Sequence, residues 1–399
     1  MKLAFISDTH FGFSKHKREY DSYIYAKQAF EIAKEKADVI VLPGDIFDSS
    51  GPGEDCLSKV FSLLQQFASI HSEAKVIKVE DKHEHNGHSI FDYPIISIPG
   101  THEYKAKEDG PLEVLENAGC LICLHAGFCT IQKGNETLNI FGMKGVPEQV
   151  AKDALAKLDF KPQKGKNILI LHQSFKELLP FNDDMVATLE FKNLPEGFDL
   201  YVNGHIHAHK IFDLGFGKFL LPGSTIITQV RKQEMKQKKG FVLYDTETGA
   251  LEHIEIPIQR EYAYIDVDVD KDITVVIDDF AKKPTQTYSI FGKDVPLEPY
   301  LKLKIIGDLE EHKKEILVLA KKREGIILDV EKDISIIEQK IKEIDFRATK
   351  ESALDMAEKA FIENIYSSGF KKSFDLKVVY DYLKDGDNDK VLDYLDDKD

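Results

Sequence analysis

Cysteine is scarce in this chain, with four among 399 residues. So few cannot build the disulfide framework of a small secreted scaffold. Cys120 and Cys123 have C-x-x-C spacing, but no second pair completes a structural zinc site. They lie in the apolar stretch Gly119–Leu124 and read as small core residues of a buried strand. Long apolar runs are also missing. None approaches the ~20 residues that span a bilayer, which argues against a membrane protein. The start, Met1–Ile6, is apolar like the beginning of a signal peptide, but Asp8 and His10 cut it short. It reads as a strand of the fold, and the expected compartment is the cytoplasm. An excess of positive charge is absent, and the net charge is −16. That excludes a protein that coats nucleic acid by general basicity. It leaves open a nucleic-acid enzyme whose aspartates are neutralised by metals. Part of the acid sits in the tail Asp385–Asp399, which reads as a solvated end. Repeats and low-complexity tracts are lacking.

What is present is an alternation. Lys2–Ser7, Asp38–Pro43, Ile95–Pro99, Lys166–Leu171 and Leu200–Asn203 read as buried strands. Tyr20–Lys36, Glu54–Ile70 and Pro111–Asn117 have helical spacing between them. Strands alternating with helices predict an α/β layered core. From about Lys210 the texture changes to short strands at Lys218–Pro222, Gly240–Tyr244 and His253–Pro257. The length allows two or three domains, and the segment 258–333 reads as a small separable α+β unit. It holds strands at Ile265–Val269, Leu301–Ile306 and Ile326–Val330 and a helix at Asp308–Arg323. Beyond it, Lys350–Ser367 and Phe374–Leu395 read as a helical hairpin. Its apolar stripes are Leu354/Ala357/Phe361/Ile365 and Leu376/Val379/Tyr382/Leu383, and they need something to cover them.

Five short segments follow apolar runs and so place polar side chains at strand ends. They are Asp8-Thr-His10, Gly44-Asp-Ile-Phe-Asp48, Gly100-Thr-His-Glu103, His172-Gln173 and Gly204-His-Ile-His207. Loops at the carboxyl ends of strands converge on one crevice in α/β sheets. The mixed carboxylate and imidazole donors suit manganese, iron or zinc better than magnesium. One metal does not need so many ligands, whereas two metals ~3.5–4 Å apart do. Asp45 is central enough to bridge them. Each histidine taken singly is more simply an ordinary one; the five segments together are not.

In this order the segments resemble the calcineurin-like metallophosphoesterases, over roughly Met1–Pro257. Within them, Gly44-Asp-Ile-Phe-Asp-Ser49, Leu171-His-Gln-Ser174 and Leu221-Pro-Gly-Ser-Thr225 followed by Lys239-Gly-Phe241 resemble the SbcD-type nucleases of DNA double-strand break repair. The resemblance implies a layered β-sandwich flanked by helices over 1–257, a small α+β cap domain over 258–333 and a C-terminal helical partner-binding region over 334–399. It implies two divalent ions, manganese by expectation. Asp8, His10, Asp45 and His207 would hold one; Asp45, His172 and His205 would hold the other. At Thr101 the family has asparagine, so the second site is expected to bind its ion less firmly. His102 matches the histidine that stabilises the transition state and protonates the leaving oxygen. Asp48 matches the carboxylate that orients it. The implied activity is 3′-to-5′ exonuclease and endonuclease hydrolysis of DNA, with an SMC-like coiled-coil ATPase as partner. The implied oligomeric state is a homodimer.

Two other readings stand beside this one. A phosphodiesterase or phosphatase acting on a small molecule or protein shares every metal residue, but has no evident need of the chain after Pro257. A scaffold subunit with a decayed site accounts for Thr101 but not for the survival of the other ligands. Three further stretches have bland readings as well as functional ones. Lys82–His88 is a histidine-rich insertion, more simply solvated than metal-binding. Arg231–Lys239 is basic and is either a contact to DNA or a solvated loop. The helix Glu54–Ile70 leaves Cys56, Leu63, Phe67 and Ile70 as a second apolar stripe, either more core or a dimer face.

Overall fold

In strand Lys2–Phe5 neighbouring side chains point to opposite faces, and this chain is apolar on both. Leu3 and Phe5 enter one core while Ala4 enters another. The same division splits Val39/Val41 from Ile40/Leu42 and Ile168/Ile170 from Leu169/Leu171. A strand buried on both faces belongs to an inner layer. The computed structural model describes residues 1–81, 91–103, 110–179, 188–232, 234–236, 238–268, 273–306, 326–332, 376–384 and 394. It divides the chain into two units, Met1–Glu331 and Lys332–Asp399.

The first unit is built on two sheets. One has six strands in the order Leu251–Glu255, Gly240–Asp245, Lys2–Phe5, Val39–Leu42, Ile95–Ser97, Ile122–Cys123, the last four mutually parallel. The other has seven, in the order Lys210–Asp213, Lys218–Leu221, Leu200–Asn203, Lys166–Leu171, Glu136–Met143, Ala126–Lys133, Lys75–Glu80. Its second to fifth strands are parallel and its margins antiparallel. The sheets share one core, in which Leu3, Val41 and Ile96 meet Ile140, Ile168 and Val202. Helices Asp21–Lys36 and Glu54–Leu64 cover the outer face of the first sheet. Helix Glu148–Leu158 covers the outer face of the second through Ala151 and Leu155. The fold is therefore a two-sheet sandwich flanked by helices.

The second stripe of helix Glu54–Leu64 proves to be core. Cys56, Val60, Leu63 and Leu64 are buried, as is Phe67 in the following 3₁₀ turn, while Leu57, Phe61 and Ile70 are half-buried against the same cluster. The expected spare face is thus the one that anchors the helix. All four cysteines are buried and unpaired, Cys120 and Cys123 among them.

The expected boundary at residue 258 falls inside the first unit. Strands Tyr262–Asp268, Tyr300–Ile306 and Ile327–Lys332 form a small sheet, and Val267, Leu301 and Leu303 pack with Ile277 and Phe280 of helix Ile273–Ala281. A hairpin, Gln286–Ile290 and Lys293–Leu297, departs from this group and joins the core of the first sheet through Ile290 and Leu297. In the second unit, helix Leu376–Lys384 buries Leu376 and Val379, two positions of the expected apolar stripe. The helices expected at 308–323 and 350–367 and the stretch 82–88 lie outside the described residues. Among the described residues no helix is long and apolar enough to cross a membrane.

A buried ion pair ties helix Asp21–Lys36 to the chain entering the small sheet. Arg260 donates from Nε and Nη2 to the Asp21 carboxylate at 3.0 and 2.7 Å. Tyr262 donates its hydroxyl to the same carboxylate at 3.2 Å. Both charged groups are buried. Removing one member of such a pair strands the other charge in low dielectric. We expect Asp21→Ala to lower stability by about 3–5 kcal/mol in urea unfolding; a loss below about 1 kcal/mol would show that water already screens the pair.

Candidate metal centre

The carboxyl ends of the parallel strands deliver the polar segments to one crevice. Lys2–Phe5 leads to Asp8 and His10, Val39–Leu42 to Asp45 and Asp48, and Ile95–Ser97 to Thr101 and His102. The second sheet supplies His172 after Lys166–Leu171, and His205 and His207 after Leu200–Asn203. The loops turn abruptly to do so. Asp8, His10, Asp45 and His205 have φ of 51, 46, 48 and 73°. Non-glycine residues rarely hold such angles, and each costs of order 1–3 kcal/mol that the surroundings must offset. Close approach needs glycine as well. A Cβ on Gly100 would lie 2.2 Å from the Asp45 amide nitrogen and from its Oδ1.

Two groups of donors converge. Atoms from Asp8, His10 and His207 lie within 4.8 Å of one another, as do atoms from Asp45, His172 and His205. A third group, His10, Asp48 and His102, meets the same criterion. The hydrogen bonds around them decide what each nitrogen can do. His172 Nδ1 donates to the Pro43 carbonyl at 2.7 Å, which fixes the tautomer. Its Nε2 is then a lone pair, and it faces Asp45 Oδ2 at 3.1 Å. Two acceptors at that distance repel unless a cation or proton lies between them. His10 Nε2 and His207 Nε2 likewise face each other at 3.1 Å. His10 Nδ1 and His172 Nε2 are buried, and each meets a carboxylate oxygen, of Asp48 at 3.2 Å and of Asp45 at 3.1 Å, outside hydrogen-bond geometry. These orphaned donors fit a metal centre.

The metal-free electrostatics carry the same message. Burial alone would push the Asp45 carboxyl up, but His172, followed by His102 and His10, outweighs it and holds the group well below the usual carboxylate range. Burial would push His172 down, yet Asp45 outweighs it and holds the ring up at about 10. A proton therefore occupies the place between them. His205, by contrast, is held low by burial and by His172.

Each predicted residue has a definite place. The Asp45 carboxylate accepts the His102 amide at 2.8 Å, and the Thr101 hydroxyl lies 3.4 Å from both its oxygens. Thr101 thus sits beside Asp45. His102 is exposed, and its Nδ1 donates to the main-chain carbonyl of Asp48 at 2.8 Å. The Asp48 carboxylate is 3.9 Å from that nitrogen but 3.2 Å from His10 Nδ1. The backbone of Asp48, rather than its side chain, orients His102, and the side chain turns to His10. Glu103 faces away from the cleft and clamps two loops, accepting the amides of Phe47 at 2.6 Å and Gly100 at 2.7 Å. Burial, then the Asp45 charge, pushes its carboxyl up to about 7.

Several supporting residues escaped the sequence reading. Ser174 Oγ donates to Glu148 Oε1 at 2.5 Å and stands 3.1 Å from His205 Nε2. His205 thereby keeps Nδ1 for the centre. Thr228 Oγ1 is 3.2 Å and Glu234 Oε1 3.7 Å from His207 Nδ1. Lys239, buried, donates to Glu234 at 2.9 Å and to the His207 carbonyl at 3.0 Å. The basic stretch is therefore divided: Lys239 braces the centre, while Arg231, Lys232 and Lys238 are exposed. Ser174 and Lys239 stand in the quoted motifs, but Glu148 lies on a helix with no polar signature. The cleft over the centre holds about 360 Å³ and is rimmed by Phe13, Lys15, Gln229 and Arg231.

Two sheets carrying paired carboxylates and imidazoles at their strand ends define a metal-dependent phosphoesterase. The profile of the calcineurin-like phosphoesterases matches residues 1–209. The chain belongs to that family. More particularly, it is similar to the DNA double-strand break repair protein Mre11 of three archaea. It is 28% identical to that of Saccharolobus solfataricus over 292 residues, 70% of each chain. It is 30% identical to that of Sulfolobus acidocaldarius over 283 residues, 68% of this chain and 67% of the other. It is 27% identical to that of Archaeoglobus fulgidus over 62% of this chain, and the match spans only 54% of that relative.

Metal entry must expel the proton held between Asp45 and His172. We expect manganese binding to release protons, measurable in unbuffered titration, and apparent affinity to rise with pH. The metal-free protein should behave consistently. The raised pKa of His172 contributes stability that is full below pH ~6.5, its unfolded value. That contribution is lost as pH rises toward the folded value of about 10. Metal binding without proton release would mean that His172 stays outside the centre.

Proposed function

We propose that this chain is a metal-dependent DNA nuclease of double-strand break repair. The observation that carries the reading is the convergence of carboxylate and imidazole donors on one crevice, Asp8, His10 and His207 in one group and Asp45, His172 and His205 in the other. The similarity to the archaeal repair proteins supports DNA as the substrate. Two divalent ions, manganese by our reading of the donor set, would be held by Asp8, His10, Asp45 and His207 and by Asp45, His172 and His205. Thr101 stands beside the second group. Such ions polarise a phosphoryl oxygen and activate water for in-line displacement.

The chain's own residues have separable tasks. Asp45 would serve both ions, and the His102 amide holds its Oδ1 in place. His102 is the proton donor to the leaving oxygen. Its Nδ1–H is committed to the Asp48 carbonyl, so Nε2 is the atom left for the substrate. Burial would lower its pKa, but Asp45 and Asp48 outweigh burial and raise it, and imidazole is the side chain that exchanges a proton near neutrality. An alkoxide departs readily only when protonated. Asp48 holds His10. The lysine and arginine on the rim, Lys15 and Arg231, suit an anionic strand.

The finer parts of the reading are proposals of the same kind. They are 3′-to-5′ exonuclease and endonuclease activity, and an SMC-like ATPase docked on the region 334–399. They also include a homodimer, a cytoplasmic setting, and the division into nuclease (1–257) and cap (258–333) parts. The test of the central reading is manganese-dependent cleavage of labelled double- and single-stranded DNA beside a chromogenic phosphodiester. Turnover of the small diester without any cleavage of DNA would favour the small-molecule phosphodiesterase reading. His102→Ala should cut turnover about a hundredfold or more while metal content stays at the wild-type level. Loss of metal in that variant would make His102 a ligand. Thr101→Asn should lower the manganese concentration needed for half-maximal activity; an unchanged requirement would show that Thr101 already serves the second ion.

A further inference from the structure

Arg18 is a buried guanidinium with no carboxylate paired to it among the described residues. It is 1% exposed. It lies over Phe13 and Tyr300 at 4.7 and 5.1 Å, and 5.8 Å from the Tyr262 ring. Its Nη1 donates to the Ile227 carbonyl at 2.7 Å and to the Tyr262 hydroxyl at 3.2 Å, and its Nε has no partner. Asp21 is linked to it only through the Tyr262 hydroxyl and is already bound bidentately by Arg260. Two arginines share one negative charge, so one positive charge is left over. An uncompensated buried charge is costly and calls for a counter-ion.

The surroundings say where that counter-ion sits. Arg18 lines a cavity of about 750 Å³ together with Lys15, Arg231, Lys232, Lys302 and Tyr264. Lys15 and Arg231 also line the cleft over the metal centre, so the two hollows adjoin at these side chains. The Tyr264 ring has Lys232 and Lys302 over it at 5.1 and 5.4 Å. Lys232 is paired with Asp266. The acidic group on the cavity wall, Asp329, accepts the Tyr300 hydroxyl at 2.9 Å. Lys15 and Arg231 are exposed and make no ion pair with a described residue.

We infer that this cavity is a second phosphate subsite, which binds a phosphodiester of the same nucleic-acid strand whose scissile phosphate lies at the metal centre. A buried, pre-oriented guanidinium among aromatic rings is suited to a phosphate. Exposed cations between it and the metal centre suit the intervening backbone. The inference rests on the nuclease reading and supplies what a small diester would lack, an anchor beyond the reacting group.

The experiment measures binding of fluorescein-labelled single-stranded DNA to the full chain in EDTA, by anisotropy over a range of salt. Lys302→Glu and Arg18→Met should each raise Kd about fivefold or more and reduce the slope of log Kd against log salt by about 1. Arg18→Lys should recover most of that slope. Thermal melting checks that each variant folds; if Arg18→Met does not, Lys302→Glu decides alone. Unchanged Kd and slope in the folded variants, with the wild type binding DNA, would overturn the subsite and leave the nuclease reading intact. A wild type that binds no DNA even at low salt would overturn both.

Discussion

The structure around the crevice depends on one constraint: imidazole nitrogens and carboxylate oxygens are held face to face, too close to rest there unless a proton or cation lies between them. His172 Nε2 faces Asp45 Oδ2, and His10 Nε2 faces His207 Nε2. Left alone such contacts repel, and a proton or cation between them turns repulsion into attraction. The second sphere holds each acceptor in this arrangement. The Pro43 carbonyl takes the other nitrogen of His172, Ser174 takes that of His205, and the amides of His102 and His205 hold the Asp45 and Asp8 carboxylates. The left-handed backbone at Asp8, His10, Asp45 and His205 is strain set by the same requirement.

The sandwich makes that strain affordable. The shared core between the sheets is formed by aliphatic side chains that are almost wholly buried. Large buried apolar area is the main favourable term available to offset local strain. Ligands come from both sheets, so the centre exists only when the sheets are packed in register. Bracing from behind has the same logic. Lys239 reaches the His207 carbonyl and Glu234 from the strand entering Gly240–Asp245, and Glu103 clamps the loops carrying Phe47 and Gly100.

Much of this was legible in the residues. Strands buried on both faces announce themselves as short apolar runs, and each is followed here by the polar segment that reaches the crevice. The donors that converge on the crevice could be read for that reason. Other elements carried weaker signals. The hairpin Ala126–Lys133 and Glu136–Met143 turns at Gly134-Asn135, and its strands mix polar and apolar residues, so no clear period marks them in the sequence. The hairpin Gln286–Ile290 and Lys293–Leu297 turns at Phe291-Gly292, both at positive φ, and phenylalanine is an unusual choice there. The role of Asp48 was read through its carboxylate, whereas its carbonyl makes the contact to His102, and a main-chain contact leaves no mark in sequence. Nothing in the sequence marks Arg18; only the fold shows it enclosed by the rings of Phe13, Tyr262 and Tyr300.

The most direct test of the two-ion centre is anomalous scattering from crystals soaked in manganese. The account predicts two peaks about 3.5–4 Å apart, one among Asp8, His10, Asp45 and His207, the other among Asp45, His172 and His205, the second the weaker. A peak among His10, Asp48 and His102 instead, or no peak touching Asp45, would contradict it.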